Sequence, residues 1–201
     1  MPKILVAVPT NGWVHAESMH SLMELCVDIG ELKSEGYQLI LGVMPRMMVA
    51  QAREIAAEKA LELKCDYLLF VDDDHTIPRG LFKRLLSHNK DIVGALTFER
   101  LGPNYPNLYD LHSFAKDETG TQVVGSFKWR NVLNYEERRD AAGLVECDSI
   151  GFGAVLIKAE VLKQIKPPWF MSNFAVGEDF FFCWQAKEAG YKVFMDCGPE
   201  A

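Results

Sequence analysis

An apolar run ends in three consecutive carboxylates at Leu68-Leu69-Phe70-Val71-Asp72-Asp73-Asp74-His75. Tyr67 to Val71 predicts a buried strand, and residues two apart on a strand share a face, so Asp72 and Asp74 should point the same way. Like charges so close together are unfavourable unless a cation binds between them. Carboxylates suit Mg²⁺ or Mn²⁺, so the pattern predicts a divalent-cation site. The alternative is an acidic turn that caps a helix beginning at Pro78.

Alternating strands and helices precede and follow this stretch. Short apolar runs predict strands at residues 4–8, 37–43, 67–71 and 91–96, and helical spacing predicts helices at 15–34, 47–63 and about ten residues from Pro78. This order is typical of an α/β fold whose mostly parallel sheet is flanked by helices. Ligands bind beyond the carboxyl ends of such strands, where Thr10 and Asn11, Pro45 and Arg46, and the acidic cluster all fall.

The second half of the chain is less regular. Residues 98–142 predict an irregular, aromatic-rich segment, and Cys147 to Ile157 a single strand containing Gly151 and Gly153. Helices at 159–165 and 177–189 and a last strand at 191–195 follow. We expect one domain over 1–201, with a first half at 1–97 and a smaller lobe at 98–201.

A second carboxylate pair, Glu178 and Asp179, precedes the very apolar segment Phe180–Trp184. A carboxylate beside aromatic surface can have a raised pKa, which suits a general base. The alternative is stabilisation of a helix N-terminus through its dipole. Arg53, in the second predicted helix, either pairs with Asp72, contacts a nucleotide or lies on the surface.

Composition narrows the classes of function. A net charge of −7 argues against sequence-independent binding to duplex DNA, and five widely spaced cysteines without a CxxC pair argue against a zinc site or a disulfide framework. No apolar stretch approaches the roughly 20 residues of a transmembrane helix, and the N-terminus is typical of a first strand rather than a signal peptide. We therefore expect a cytoplasmic protein.

Several segments together resemble the family-2-like glycosyltransferases of the GT-A fold, over almost the whole chain. The resemblance is carried by Ala52-Arg53, by Phe70–Asp74 with Pro78, by Gly151-Phe152-Gly153-Ala154, by Gly177-Glu178-Asp179 and by Ala189–Val193. It implies a hexosyltransferase that uses a nucleotide-sugar donor, a UDP-sugar by default, with Mn²⁺ or Mg²⁺. The acceptor stays open: a glycan, lipid, small molecule, protein or modified nucleic acid.

The resemblance also implies that residues 1–97 bind the nucleotide-sugar, that residues 98–201 form a smaller acceptor-side lobe, and that individual residues have the following roles. Asp179 would be the catalytic base, with Glu178 as the alternate, and inversion or retention at the anomeric carbon stays open. Asp74 would bind the cation, together with Asp72. The donor nucleotide-sugar would be held by Pro9, Thr10, Arg53, Asp72, Asp73 and Gly153.

One feature departs from the family, and other functions compete with the resemblance. Many relatives place a metal-binding histidine shortly after the last strand, whereas no histidine follows His112 here. Either the sequence lacks the segment that carries it, or other groups complete the metal shell. His75, beside the acidic cluster, is either a metal ligand or a plain turn histidine. Asp72-Asp73-Asp74-His75-Thr76 also matches the DxDxT pattern of haloacid-dehalogenase-like phosphohydrolases, with Asp72 as nucleophile and Asp74 as acid. A non-catalytic sugar-nucleotide-binding protein is the other alternative.

Overall fold

A computed structural model describes residues 1–99, 104–116, 122–172 and 176–198, with the backbone alone for 112–116 and 122–129. The strands are β1 (Lys3–Thr10), β2 (Gln38–Pro45), β3 (Tyr67–Val71), β4 (Ile92–Ala95), β5 (Leu108–Lys116), β6 (Gln122–Asn131), β7 (Leu144–Cys147), β8 (Ser149–Ile150), β9 (Ala154–Lys158) and β10 (Val193–Asp196). The helices are α1 (Ala16–Leu32), α2 (Val49–Glu62), α3 (Leu81–Ser87), α4 (Tyr135–Arg138), α5 (Ala159–Gln164) and α6 (Glu178–Glu188).

Seven strands form a central sheet in the order β2-β1-β3-β9-β4-β10-β7. Five of them run in the same direction, and β9 and β7 run against it. The mostly parallel sheet predicted from the sequence is therefore confirmed. The sequence-based prediction gave neither the antiparallel direction of β9 nor its insertion between β3 and β4.

Helices cover both faces of this sheet. Alternate residues of β1 point to opposite sides, so Leu5 and Ala7 join a core with α2, α5 and α6, while Ile4 and Val6 join a second core with α1 and α3. Nearly every residue of β1 and β3 is buried, as expected for strands covered on both faces. This packing fixes the carboxyl ends of β1 and β3 beside each other, because the two strands pair in parallel.

The predicted irregular segment 98–142 is wrong in part. Residues 108–116 and 122–131 form the antiparallel pair β5–β6, and β8 extends it to a three-stranded sheet. The pairing has two register shifts, which explains why no clean alternation of apolar and polar residues shows in the sequence. Residues 100–103 and 117–121 of that segment, and the side chains of 112–129, lie outside what the structure describes.

The single strand predicted over Cys147 to Ile157 is also wrong. β8 pairs with β5 in the small sheet, whereas β9 pairs with β3 and β4 in the central sheet. The chain changes sheets between them, at Gly151-Phe152-Gly153, and buries Phe152 there. The two glycines mark this crossing rather than the interior of one strand.

The helix predicted from Pro78 begins three residues later, at Leu81. Gly80 adopts φ 78°, a left-handed conformation that is not helical. Its N–H donates to the carboxylate of Asp28, a buried residue of α1, across 2.6 Å. Among the described residues, no helix combines the length and the apolar composition needed to cross a membrane.

Candidate functional site

The three carboxylates stand where β3 ends, at the predicted edge of the central sheet. The Asp72 N–H donates to the carbonyl oxygen of Gly153 across 2.9 Å, and the Asp73 carbonyl accepts from the N–H of His15 at 3.4 Å. These backbone bonds attach the cluster to the crossing before β9 and to the start of α1. The side chains of Asp72 and Asp74 are about three-quarters buried, with exposed fractions of 26% and 23%.

His75 completes a group that could hold a cation. Its Nδ1 lies 2.8 Å from Oδ1 of Asp74, and one ligand atom each from Asp72, Asp74 and His75 fall within 4.8 Å of one another. The imidazole packs directly against Gly153: a β-carbon placed on this glycine would lie 2.6 Å from Nε2 of His75. Gly153 therefore leaves the space that His75 occupies beside the carboxylates.

Arg53 lies beneath the acidic cluster and is 2% exposed, so the surface alternative is wrong. Its Nη2 donates to Oδ1 of Asp72 across 2.8 Å, and its Nη1 lies 3.4 Å from Oε1 of Glu178. Arg53 therefore joins the end of β3 to the first turn of α6. The sequence holds a signal for this burial, because Arg53 shares the small, apolar face of α2 with Ala56, Ala57 and Ala60.

Two phenylalanine rings lie against this arginine, and two more pack against those rings. The guanidinium carbon of Arg53 lies 5.6 Å from the ring centre of Phe70 and 5.2 Å from that of Phe152. Phe170 meets Phe70 edge-on at 5.4 Å and stacks on Phe182 at 4.9 Å. A charge in such surroundings requires close countercharges, which Asp72 and Glu178 supply.

Asp179 is next to Glu178 in the sequence but has a different environment. Its pKa is raised from 3.8 to about 6, first by burial and then by the charge of the nearby Glu178, while the Arg53 charge opposes the rise. Its Oδ1 accepts the N–H of Phe180 at 2.8 Å. The two carboxylates therefore differ in role: Glu178 is paired with the buried arginine, and Asp179 can exchange a proton near neutral pH.

A cavity of about 310 Å³ opens over the cluster. Its lining comes from the ends of β1 and β3 and from the start of α2, and comprises Pro9, Thr10, Asn11, Met47, Met48, Val49, Asp72, Asp73 and Asp74. The structure thus brings five of the predicted site residues into one cavity. Arg53 and Glu178 pair below Asp72, Gly153 bonds to the cluster from behind, and Asp179 lies next to Glu178 on α6.

Two contributions to this region escaped the sequence analysis. Met47 and Met48 give the cavity an apolar wall, and Met48 is 73% exposed. Glu54, next to Arg53 on α2, accepts the N–H groups of Trp169 and Phe170 at 3.2 and 2.8 Å. Each contribution depends on contacts between the α2 region and residues distant in sequence, so no local sequence pattern predicts it.

The chain has relatives in sequence among subunits of mannan polymerase complexes. No protein-family model matches the chain. It is 23% identical over 149 residues to the mannan polymerase complex subunit mnn9 of Schizosaccharomyces pombe, covering 66% of this chain and 44% of that protein. It is 29% identical over 139 residues to the ANP1 subunit of the mannan polymerase II complex of Saccharomyces cerevisiae, covering 59% and 27%. The chain spans less than half the length of these curated relatives.

Solved structures resemble the chain over nearly its whole length. GalNAc-T7 with UDP, GalNAc and Mn²⁺ superposes with a TM-score of 0.57 at 17% identity, covering 97% of this chain and 41% of that one. A197 from STIV gives 0.54 at 21%, covering 97% and 81%. Residues 1–349 of S. aureus TarS give 0.50 at 13%, covering 100% and 59%. The chain therefore has a mixed α/β fold with a mostly parallel central sheet flanked by helices, which matches GT-A-like structures.

Proposed function

We propose that this chain is a glycosyltransferase that moves a sugar from a nucleoside diphosphate donor to an acceptor hydroxyl, with a divalent cation and Asp179 as general base. The observation that carries the proposal is the cavity of about 310 Å³ whose wall holds all three carboxylates of the β3 end. GalNAc-T7, a structural neighbour, was crystallised with UDP, GalNAc and Mn²⁺, and the relatives in sequence are subunits of mannan polymerase complexes. These neighbours support a glycosyltransferase-related role.

The residues present fit a divalent cation. Bonds of about 2.0–2.2 Å to one ion would separate two ligand atoms by at most about 4.4 Å, close to the 4.8 Å limit within which Asp72, Asp74 and His75 offer theirs. An imidazole among carboxylates favours Mn²⁺ over Mg²⁺, because nitrogen ligands suit transition metals better. When bound, the cation would offset negative charge on the departing diphosphate.

The donor would lie along the cavity from α2 to the acidic cluster. The apolar side chains of Met47 and Met48, with Pro9, suit a flat nucleobase, while Thr10 and the carboxylates face the polar part of the ligand. The first turn of α2 carries no acidic residue and no side-chain cap, so its N–H groups suit phosphate oxygens. We propose a UDP-sugar as the donor.

In the proposed reaction, Asp179 takes the proton of the acceptor hydroxyl. The acceptor oxygen then bonds to the anomeric carbon as the bond from that carbon to the diphosphate breaks, and the nucleoside diphosphate departs with the bonding electrons. A pKa of about 6 leaves Asp179 ionised at neutral pH yet basic enough to accept a proton. Glu178 is a weaker choice for this step because it faces Arg53 at 3.4 Å.

Thermal unfolding with UDP and GDP, each with and without Mn²⁺, tests the donor site. A ligand at 100 times its dissociation constant adds about 2.7 kcal/mol to the free energy of unfolding, an easily measured shift. We expect a shift with UDP that requires Mn²⁺, is lost in Asp74→Asn and is kept in the control Asp91→Asn, whose carboxylate pairs with Lys158 at 3.1 Å. A shift with neither nucleotide would overturn the proposal.

One observation favours a second candidate, a nucleotide-binding subunit without turnover. The relatives in sequence are named as subunits of larger complexes. Binding of UDP and Mn²⁺ without any transfer or donor hydrolysis would favour this candidate. Hydrolysis of p-nitrophenyl phosphate, abolished by Asp72→Asn, would instead revive the phosphohydrolase alternative.

A further inference from the structure

The strand β2 leaves one edge of the central sheet open. It pairs in parallel with β1 along its whole length, and no other strand within the described ranges pairs with it. Its eight residues include no charged side chain, and Leu41 and Val43 are 52% and 53% exposed. Soluble proteins usually protect such edges with charges, bulges or covering segments, because an open edge can pair with another chain. A long, neutral, apolar edge therefore indicates an interaction surface.

The hydrogen bonds to β1 show which backbone groups of β2 point to the open edge. The N–H of Arg46, one residue beyond the end of β2, donates to the carbonyl of Thr10 in β1 at 2.8 Å. The direction of the backbone groups alternates from one residue of a strand to the next. The even-numbered residues of β2 therefore bond to β1. The odd-numbered residues Leu39, Leu41 and Val43 direct their N–H and C=O groups to the open edge.

This open edge is complementary to itself. A two-fold axis perpendicular to the sheet at Leu41 would set two copies of β2 antiparallel, with Leu41 opposite Leu41 and Leu39 opposite Val43. In each of these pairs the two residues exchange both N–H···O bonds, because their backbone groups point to the open edge. The paired side chains are all apolar and lie on one face of the sheet, where such pairs stabilise strand association. Pro45, which has no N–H to donate, falls outside these pairs.

The charges beyond the two ends of β2 are complementary as well. Glu35 precedes the strand, Arg46 follows it, and both side chains are exposed. Neither has an ion-pair partner among the residues that the structure describes. In the antiparallel register, Arg46 of one copy lies opposite Gly36 of the other and so beside its Glu35, and the two-fold axis forms this contact twice. Pairing through β2 therefore joins opposite charges, although the net charge of −7 makes two copies repel each other at a distance.

A groove beside the start of β2 offers a second copy further apolar contact. It has a volume of about 610 Å³, and its walls include Ile29 and Gly30 of α1 and Leu39 of β2. Val43 of the second copy would lie opposite Leu39 and thus at the rim of this groove. The exposed side chain of Val43 would then be covered by the other copy.

We propose that two copies of this chain associate through β2 into a dimer whose central sheet continues across the two-fold axis. A strand of eight residues is about 26 Å long, so the contact is small beside the roughly 800 Å² per partner of a stable interface. The dimer is therefore reversible, and its fraction rises with protein concentration. Leu39, Leu41 and Val43 do not line the cavity over the acidic cluster, so the dimer does not depend on the proposed function.

Sedimentation equilibrium over a range of protein concentrations measures this association. We expect an equilibrium between monomer and dimer in the wild type. Leu41→Lys places two like charges opposite each other at the axis and should raise the dissociation constant by about ten-fold or more. Met23→Lys is the matched control: it adds the same charge at a residue of α1 that is 63% exposed and lies beside Arg79, and it should leave the dissociation constant unchanged. Circular dichroism checks that both variants are folded.

A charge exchange tests the register of the two strands. Arg46→Glu and Glu35→Arg should each weaken the dimer, because each brings two like charges together. The double variant should restore it, because opposite charges meet again across the axis. Amide hydrogen exchange followed by NMR gives an independent readout. At high protein concentration, exchange should slow at the N–H groups of Leu39, Leu41 and Val43, which point to the open edge in the monomer.

Several outcomes would overturn the proposal. One is the mass of a single chain at every concentration. Another is a dimer that Met23→Lys weakens as much as Leu41→Lys does, which would show that the copies meet elsewhere. A double variant of Glu35 and Arg46 that stays as weak as the single variants would contradict the antiparallel contact. Binding of an unrelated apolar peptide at the β2 edge of a chain that stays monomeric would show that a different protein occupies this edge.

Discussion

Arg53, which is 2% exposed, donates a 2.8 Å hydrogen bond to Asp72, so a buried positive charge holds the carboxylate that directly follows β3. Glu178 faces the same guanidinium at 3.4 Å. The buried guanidinium of Arg53 therefore neutralises two carboxylates, one at the end of β3 and one at the start of α6. We expect the stability of the fold to depend on this charge.

Replacing Arg53 by methionine tests this dependence. The variant keeps an apolar stem among the phenylalanine rings but leaves Asp72 and Glu178 without their countercharge, which typically costs about 3–5 kcal/mol. Urea unfolding measures the loss. Lys59→Met, which breaks an exposed pair on the same helix, should change the free energy of unfolding by no more than about 1 kcal/mol. Equal effects of the two variants would contradict the interpretation that Arg53 is a buried charge linking the end of β3 to α6.

Asp179 should govern the pH dependence of turnover. The base must be ionised, so the rate should rise with pH through about 6 and level off above it. A rate that is flat between pH about 5 and 8 would argue against Asp179 as the base.

The same raised pKa predicts that Asp179 destabilises the fold when ionised. Because its folded pKa of about 6 exceeds the ordinary 3.8, stability from this group is present at low pH and is lost as pH rises through that window. Asp179→Asn should therefore raise the melting temperature at pH about 7.5 while abolishing turnover, and the gain should shrink toward pH about 4. Glu178→Gln is the contrast: it weakens the pair with Arg53 and should lower the melting temperature.

Replacing Gly153 should weaken metal binding, because the new side chain would displace His75. An alanine here would put its β-carbon 2.6 Å from Nε2 of His75, so the imidazole must leave its place beside Asp74. We expect Gly153→Ala to lower Mn²⁺ affinity by about ten-fold or more, as loss of a supporting group does in metal sites. Calorimetric titration with Mn²⁺ and UDP checks this.

Two further variants make that test specific. His75→Ala should lower Mn²⁺ affinity by itself, and adding Gly153→Ala to it should cost nothing more, because the clash is then gone. Gly30→Ala, on a face of α1 with no atom within 4 Å of the new methyl, should stabilise the helix by about 0.5–1 kcal/mol. Additive losses from Gly153→Ala and His75→Ala would show that they act independently.

Glu54 should keep the segment before α6 in place. Its carboxylate accepts two backbone N–H groups, from Trp169 and Phe170, and Phe170 stacks on Phe182 of α6. Glu54→Ala should speed amide hydrogen exchange at residues 169 and 170 and lower turnover, since α6 carries Asp179. Glu58→Ala, one turn along α2 and exposed, is the matched control. Unchanged exchange in Glu54→Ala would refute the role.

The local sequence pattern was sufficient to predict elements that lie wholly inside one layer of the fold. The β3 strand begins and ends at Tyr67 and Val71 as predicted, because five apolar residues there are bounded by carboxylates. The carboxyl-end rule also placed Thr10 and the acidic cluster at one edge of the sheet, where they line one cavity. Both predictions used information contained in a few neighbouring residues.

Prediction failed where distant segments decide the outcome. The strand β9 enters the central sheet between β3 and β4, and its direction depends on partners more than 50 residues away. Glu54 is an ordinary helix residue until the segment at Trp169 meets it. The imidazole of His75 is placed by the absence of a side chain at Gly153. Each of these is a tertiary relationship that sequence periodicity does not carry.

The insertion of β9 between β3 and β4 also bears on how the chain acquires its structure. In the folded sheet β9 separates β3 from β4, which are consecutive in sequence. A nascent chain of 97 residues would therefore expose one edge of β3 and both edges of β4, whose partners β9 and β10 are not yet synthesised. We expect residues 1–97 to stay incompletely folded on the ribosome until residues 98–201 have been synthesised. The acidic cluster would thus become rigid late, when Gly153 accepts its hydrogen bond from Asp72.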